Sequence, residues 1–194
     1  MPKLGMEPIR REALVKATIE EIGAQRSLDV TVAKIARRAG VSSALAHHYF
    51  GGKEDIFLAA MHHILATYAQ SIRTALRDLD DPRARVEAII RAGFEGESFN
   101  PETIAAWLNF YVMSQRSDRA QRLLNVYQRR LTSNLVYSLK SLVGVEAQPV
   151  AVRISAMIDG VYLRQALGIT RPDNLIAISH VMAVFEAELS RHGK

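Results

Sequence analysis

The 194-residue sequence contains no cysteine, which excludes a disulfide framework, cysteine-ligated zinc and a thiolate nucleophile. Aromatic residues are scarce, 7% with a single tryptophan, while Ala, Leu, Ile, Arg and Glu are plentiful, a balance that favours an all-helical chain. No apolar run approaches the roughly 18 residues of a membrane span. The opening MPKLGMEPIRRE lacks the apolar core of an export signal. Neither a membrane association nor secretion is therefore expected, and the cytoplasm is the expected compartment. Low-complexity tracts and repeats with periods of 20–50 residues are also missing.

What is present is a chain that is 48% hydrophobic, enough for a substantial core. Its net charge of +5 is unevenly placed. Residues 1–53 carry nine Lys or Arg and five acids, so most of the excess sits at one end. A basic end on an otherwise balanced chain suits a polyanionic partner.

Capping signals divide the chain into about nine helices with no convincing strand. Residues 7–25 carry an apolar stripe at Ile9, Ala13, Leu14, Ala17, Ile19 and Ile22. Thr31 is a good N-cap, with Val30 and Ile35 as a hydrophobic staple, and Gly40 is placed to end that helix. Ser42 then caps a short helix over about 43–49. Gly51-Gly52 breaks the chain, and Lys53 opens a long helix to about Leu79. Asp81-Pro82 starts a helix to about Gly96, and Asn100-Pro101 repeats the device with Phe99 and Ile104 as staple. Asp118, with Gln121 three residues on, is expected to open a helix to Val143 stopped by Gly144. Pro149 starts another to Leu167, and Thr170 with Asp173 caps the last, to about Arg191. The expected division is a small domain over 1–52 and a larger helical domain over 53–194.

The segment TVAKIARRAGVSSALAHHYFGGK, residues 31–53, has the shape of a helix-turn-helix, whose second helix enters the DNA major groove. Val32, Ile35, Ala36 and Ala39 share one face of its first helix, while Lys34, Arg37 and Arg38 share another, where they can meet phosphate. Ser42 and Ser43 stand at the N-terminus of the second helix, whose free N–H groups favour a phosphate. Ala44, Leu45, His47 and His48 follow, with Tyr49 at its end; Thr31 and Lys53 flank the unit within reach of the DNA backbone.

Residues 7–57, through TVAKIARRAGVSSALAHHYFGGKEDIF, resemble the DNA-binding signature of the tetracycline-repressor (TetR) family. That family usually shows Tyr-Tyr-His-Phe near the end of the recognition helix, followed by a Lys. Here the run is His47, His48, Tyr49, Phe50, with Lys53 matching the lysine. The resemblance implies double-stranded operator DNA as partner, a ligand-binding C-terminal domain and a homodimer. The segments AAWLNFYV, QRRLTSNL and IDGVYLRQAL narrow it to the choline-responsive repressors of that family. This implies repression of the genes that turn choline into glycine betaine, an osmoprotectant, with choline or a related quaternary amine as inducer. The alternative is a repressor of the same family that answers another cationic or amphipathic small molecule.

Trp107, Phe110 and Tyr111 fall at i, i+3 and i+4, a pattern shared by core stripes and ligand boxes. Asp159 lies in the apolar run AMIDGVYL, where a lone carboxylate needs a partner. Aromatic faces plus one carboxylate suit a quaternary ammonium ion; an ion pair of Asp159 with Arg153 or Arg164 is the structural alternative. Tyr127 and Tyr162 are further candidates. The pairs His47-His48 and His62-His63 do not have the i, i+4 spacing of a helical metal site, and no Glu-x-x-His motif occurs, so neither a metal nor a cofactor is expected and an enzyme is disfavoured. The last two helices are apolar over wide faces, including Val150, Ile154, Met157, Ile158, Val161, Ile176, Val181, Val184 and Leu189. A terminal helix pair this apolar either closes the bundle or forms a dimer interface; the family resemblance implies the dimer.

Overall fold

The computed structural model describes residues 5–168 and 172–192. Among these the protein is all-α: α1 (Met6–Gln25), α2 (Val32–Arg38), α3 (Ser43–Phe50), α4 (Lys53–Leu76), α5 (Pro82–Ala92), α6 (Pro101–Ser114), α7 (Asp118–Val143), α8 (Ala147–Leu167) and α9 (Asn174–His192). Short 3-10 turns, Gly96–Phe99 and Gly144–Glu146, precede α6 and α8.

The caps explain most boundaries. The side chains of Thr31, Ser42, Asp81 and Asn100 accept hydrogen bonds from the backbone N–H three residues on, at 3.3, 3.2, 2.7 and 2.7 Å, satisfying donors that a helix start leaves free. Gly40 adopts φ 68, and Val41 N–H reaches back to the Ala36 carbonyl at 3.0 Å. That closure needs a left-handed residue, which glycine supplies without a Cβ penalty.

Several expected boundaries move. Ser117, not Asp118, caps α7, its Oγ accepting from the Ala120 N–H; Gln121 therefore lies one turn inside. α8 begins at Ala147 and not Pro149, because the 3-10 turn after Gly144 runs directly into it. α4 ends at Leu76 rather than Leu79, and α5 stops at Ala92 instead of continuing to Gly96, leaving Gly96 to open the turn before α6. Thr170 lies outside the described residues; Asp173 holds the start of α9, its Oδ1 accepting from Ile176 N–H at 3.0 Å.

α1, α2 and α3 fold over Leu14, Ile22, Val30, Ile35 and Ala46, all essentially buried. The same buried apolar cluster continues through the remaining helices, with Ile89, Ile90, Phe94, Phe110, Leu131, Leu135, Ile154 and Phe185. α1 also leans on α6 at a close approach: a Cβ on Gly23 would lie 2.6 Å from Glu102 Cα, so only glycine fits there. The stretch Asp118–Leu167 reaches a mean hydropathy of 1.2 over an 18-residue window. It is two helices, α7 and α8, broken at Gly144 and packed on each other. Outside the core, α8 and α9 leave Val152, Leu163, Leu167, Leu175 and Ile176 exposed.

Candidate DNA-binding motif and ligand cage

In the helix-turn-helix the buried face of α2 is Val32, Ile35 and Ala36, and that of α3 is Ala46. Thr31, Lys34, Ser42, Ser43, Ala44, His47 and His48 are exposed, Leu45 and Tyr49 half-buried, and Lys53 exposed at the start of α4. These candidate DNA-contacting positions are therefore at least partly open to solvent. The expected basic face is narrower than the sequence indicated. Arg38 Nε donates to Glu21 Oε1 at 2.6 Å and its Nη1 to Glu20 Oε2 at 3.3 Å, tying it back to α1. The same hydrogen bond holds the Glu21 carboxyl below its ordinary range. Lys34 and Arg37 remain outward.

His47 Nδ1 lies 3.0 Å from the Gly51 carbonyl oxygen. A carbonyl only accepts, so Nδ1 carries the proton and Nε2 faces outward. Sequence reasoning missed Arg11. Its Nη1 donates to the Tyr49 carbonyl at 2.8 Å, and its guanidinium stands 4.6 Å from the Phe50 ring centroid. A cation at the C-terminal end of α3 opposes the negative end of the helix dipole. Phe50 is thus half-buried beneath Arg11 rather than part of the deep core.

The second constellation lies inside the larger helical body. A small cavity is lined by Tyr68 of α4, Gly93, Ser98, Trp107 and Tyr111 of α6, Tyr127 of α7, and Ile158, Asp159 and Tyr162 of α8. Trp107 is its hub: its ring centroid lies 4.8 Å from Tyr127, 5.6 Å from Tyr111 and 6.4 Å from Tyr162. Tyr68 meets Tyr127 at 5.8 Å. Four residues flagged from sequence beside Trp107 (Tyr111, Tyr127, Asp159 and Tyr162) therefore converge. Phe110 does not: it packs behind Trp107 at 5.9 Å, 1% exposed, away from the cavity.

Asp159 accepts hydrogen bonds from Tyr111 Oη at 3.1 Å and, more weakly, from Tyr127 Oη at 3.4 Å. The expected alternative, an ion pair with Arg153 or Arg164, does not form: Arg164 is exposed on α8. Arg153 is held by Glu188 of α9, through two bonds of 2.6 Å. Burial raises the Asp159 pKa and outweighs the two tyrosine hydrogen bonds, which lower it. Burial likewise pushes up the hydroxyls of Tyr68, Tyr111, Tyr127 and Tyr162, so they stay protonated as donors. The hydroxyls of Tyr68 and Tyr162 are buried without a partner among the described residues.

Among the described residues, the arrangement is a carboxylate with no cation beside it, walled by five aromatic rings. Its volume is about 20 Å³, little more than one water requires and much less than a trimethylammonium group. Tyr68 was not foreseen, because at i+4 from Ile64 and i−4 from Ile72 it reads as one more member of the apolar stripe of α4. Ser98 gave no signal at all.

Comparison with known proteins places both halves. Residues 14–60 match the family described as bacterial regulatory proteins, tetR family, and residues 82–190 match the BetI-type transcriptional repressor, C-terminal. The chain is 50% identical to the HTH-type transcriptional regulator BetI of Brucella melitensis over 191 residues, covering 98% of this chain and 96% of that protein. It is 49% identical to BetI of Rhizobium meliloti over 168 residues, covering 86% and 83%. Among solved structures, a transcriptional regulator from Saccharomonospora viridis, in complex with choline, has a TM-score of 0.81 at 20% identity, covering 91% of this chain and 95% of that one. A regulator from Pseudomonas aeruginosa has a TM-score of 0.79 at 22% identity, covering 97% and 93%.

Proposed function

The chain belongs to the TetR family of DNA-binding transcriptional regulators, as a BetI-type repressor, and we propose that choline releases it from an operator controlling choline-to-glycine-betaine genes. The observation that carries this reading is Asp159, a half-buried carboxylate facing aromatic rings with no cation beside it among the described residues. A quaternary ammonium ion donates no hydrogen bond, so its recognition rests on ring faces and one neutralising charge. Cation–π attraction at a desolvated ring contributes about 2 kcal/mol. The choline complex of the S. viridis regulator, a protein of the same fold, supports the same ligand class.

The smallness of the cage supplies a mechanism. Accommodating a trimethylammonium group requires the walls of the cage to part, and in this mechanism Tyr68 separates from Tyr127. Tyr68 belongs to α4, which is separated from α3 by only two residues, Gly51 and Gly52. Moving α4 therefore re-aims the recognition helix, so ligand and operator favour different states; such couplings amount to about 1–3 kcal/mol. In this reading the 1–52 unit reads DNA and residues 53–194 sense and dimerise. Thr31, Lys34, Ser42, Ser43 and Lys53 hold the DNA backbone, while Ala44, Leu45, His47, His48 and Tyr49 face bases. The exposed apolar residues of α8 and α9 pair two copies, which sets two recognition helices about 34 Å apart, as a palindromic operator needs.

A second reading, an amphipathic inducer, is favoured by an open groove of about 700 Å³ between α4 and α7. Leu65, Ile72 and Leu123 line it, and Arg73, Arg77 and Arg130 stand among its walls. The two readings separate in one experiment: fluorescence anisotropy of the DNA upstream of the gene, titrated with choline and then with alkyl carboxylates. Loss of operator binding at millimolar choline supports the first. Operator affinity unmoved by choline but lowered by an alkyl carboxylate rejects it for the second.

A further inference from the structure

Side chains join α4 and α7 both at the cage and at their first turns. Deep in the body Tyr68 of α4 packs on Tyr127 of α7, both lining the cage. At the other end the first turns of the same helices are joined by side chains. Ser117 Oγ donates to Glu54 Oε1 at 2.6 Å, and Arg119 Nη1 donates to Asp55 Oδ1 at 2.7 Å. Glu54 and Asp55 follow Lys53, the lysine that faces DNA in the reading above. The other oxygen of Asp55 lies against the Gly51-Gly52 turn that ends α3: a Cβ built on Gly51 would be 3.4 Å from Oδ2. Arg119 also lines a cleft shared with Tyr49, Phe50 and Arg11, at the end of the recognition helix.

We propose that Arg119, seconded by Ser117, is a positioning residue that latches the ligand-sensing helix α7 to the DNA-reading end of α4 and holds the cage closed. The physical argument is leverage. Both helices run from the latch to the cage, Glu54 to Tyr68 on one and Ser117 to Tyr127 on the other, as continuous helix. Parting Tyr68 from Tyr127 pivots α4 away from α7, and the latch opposes that movement at the far end of the same two rods. The latch is formed while the cage is too small for a quaternary amine, so it stabilises the state that ligand must displace. A ligand can shift two states only by its differential affinity, so removing the latch lowers the cost of opening.

This inference rests on the choline reading, and its sign distinguishes it from ordinary damage. Arg119→Ala is expected to bind choline more tightly, by roughly the two- to fivefold that an exposed ion pair supports. The choline concentration that releases half of the operator falls by the same factor, with operator affinity in choline-free buffer unchanged or lower. Arg119→Lys, which keeps the charge, restores the wild-type midpoint. A merely destabilising substitution weakens both ligands instead. The experiment is calorimetric titration of choline into the full-length wild type, Arg119→Ala and Arg119→Lys, paired with operator anisotropy. An unchanged or raised midpoint in Arg119→Ala overturns the latch. If choline has no effect on the wild type, the choline reading itself fails, and the latch is tested by amide hydrogen exchange without ligand. Exchange at 52–56 several-fold faster in Arg119→Ala supports it; equal exchange in both proteins overturns it.

Discussion

The Tyr111 hydroxyl of α6 donates to the Asp159 carboxylate of α8 at 3.1 Å, and no basic side chain among the described residues shares that carboxylate. The pair spans the cage, with Tyr127 of α7 contributing a weaker bond from a third helix. The carboxyl is thereby oriented by donors that do not neutralise it, and burial outweighs them in raising its pKa. A buried charge left in this condition is costly, and the cost is offset when a cation arrives.

Asp159→Asn tests that cost. The carboxyl has a raised pKa in the folded protein, so the folded state holds its proton at pH values where the unfolded chain has lost it. Stability from this group is therefore present at low pH and declines as pH rises through the folded pKa. Thermal melts at pH 7 should show Asp159→Asn more stable than wild type, with the difference shrinking toward pH 4. A variant less stable than wild type at pH 7 contradicts this account of the site.

Tyr68→Phe removes a buried hydroxyl that has no partner among the described residues. An unmet buried polar group costs about 1–3 kcal/mol, so the variant should melt a few degrees higher, on the order of 2–4 °C per kcal/mol. Differential scanning calorimetry without ligand is the check. Destabilisation would mean that the hydroxyl is satisfied in the folded protein.

Arg11→Met should weaken operator binding while leaving choline affinity unchanged. The substitution removes the bond to the Tyr49 carbonyl and the cation above Phe50, together about 1–2 kcal/mol. That loosens the end of α3 without touching the cage. Operator anisotropy beside choline calorimetry separates the two effects; parallel losses in both would show general unfolding.

Much of this fold was legible because local chemistry dictated it. Thr31, Gly40 and Ser42 each perform the capping or turning role their side chains allow, which is why the helix-turn-helix could be placed to within a residue. Ser117 was passed over for Asp118 because both are good cap residues and only the tertiary course of the chain chooses between them. The cage was half legible. Trp107, Tyr111 and Asp159 stand out as aromatics at helical spacing and as a charge in an apolar run. Tyr68 and Phe110 exchange the roles their positions indicate, since a helical stripe specifies which face is buried but not which members of it border a void. Arg11 and Arg119 were invisible, because their contacts join residues 38 and 64 positions apart.

The division between backbone and base contacts is tested with Lys53 and His47. Lys53→Ala should weaken binding to all sequences alike and lower the slope of log K against log salt by about 1. His47→Ala should change sequence preference, because the Nε2 edge faces outward with Nδ1 fixed on Gly51. Binding to operator and to random duplex over a salt series provides the measurement; equal losses on both duplexes for both variants would reject the division.

Leu163 and Ile176, exposed on α8 and α9, offer a test of pairing. The double substitution Leu163→Glu and Ile176→Glu should give a monomer in sedimentation equilibrium and reduce operator affinity by at least tenfold, while leaving the helical content intact. A dimer that persists would move the interface elsewhere.

The central claim is that Asp159 and its ring of aromatics recognise a quaternary ammonium ion. Calorimetric titration of choline into wild type and Asp159→Asn at pH 7 tests it most directly. The account predicts saturable binding to the wild type and a loss of roughly thirtyfold or more in the variant, on the order of 2 kcal/mol for a desolvated charge pair. Equal affinity of the two proteins for choline would contradict it.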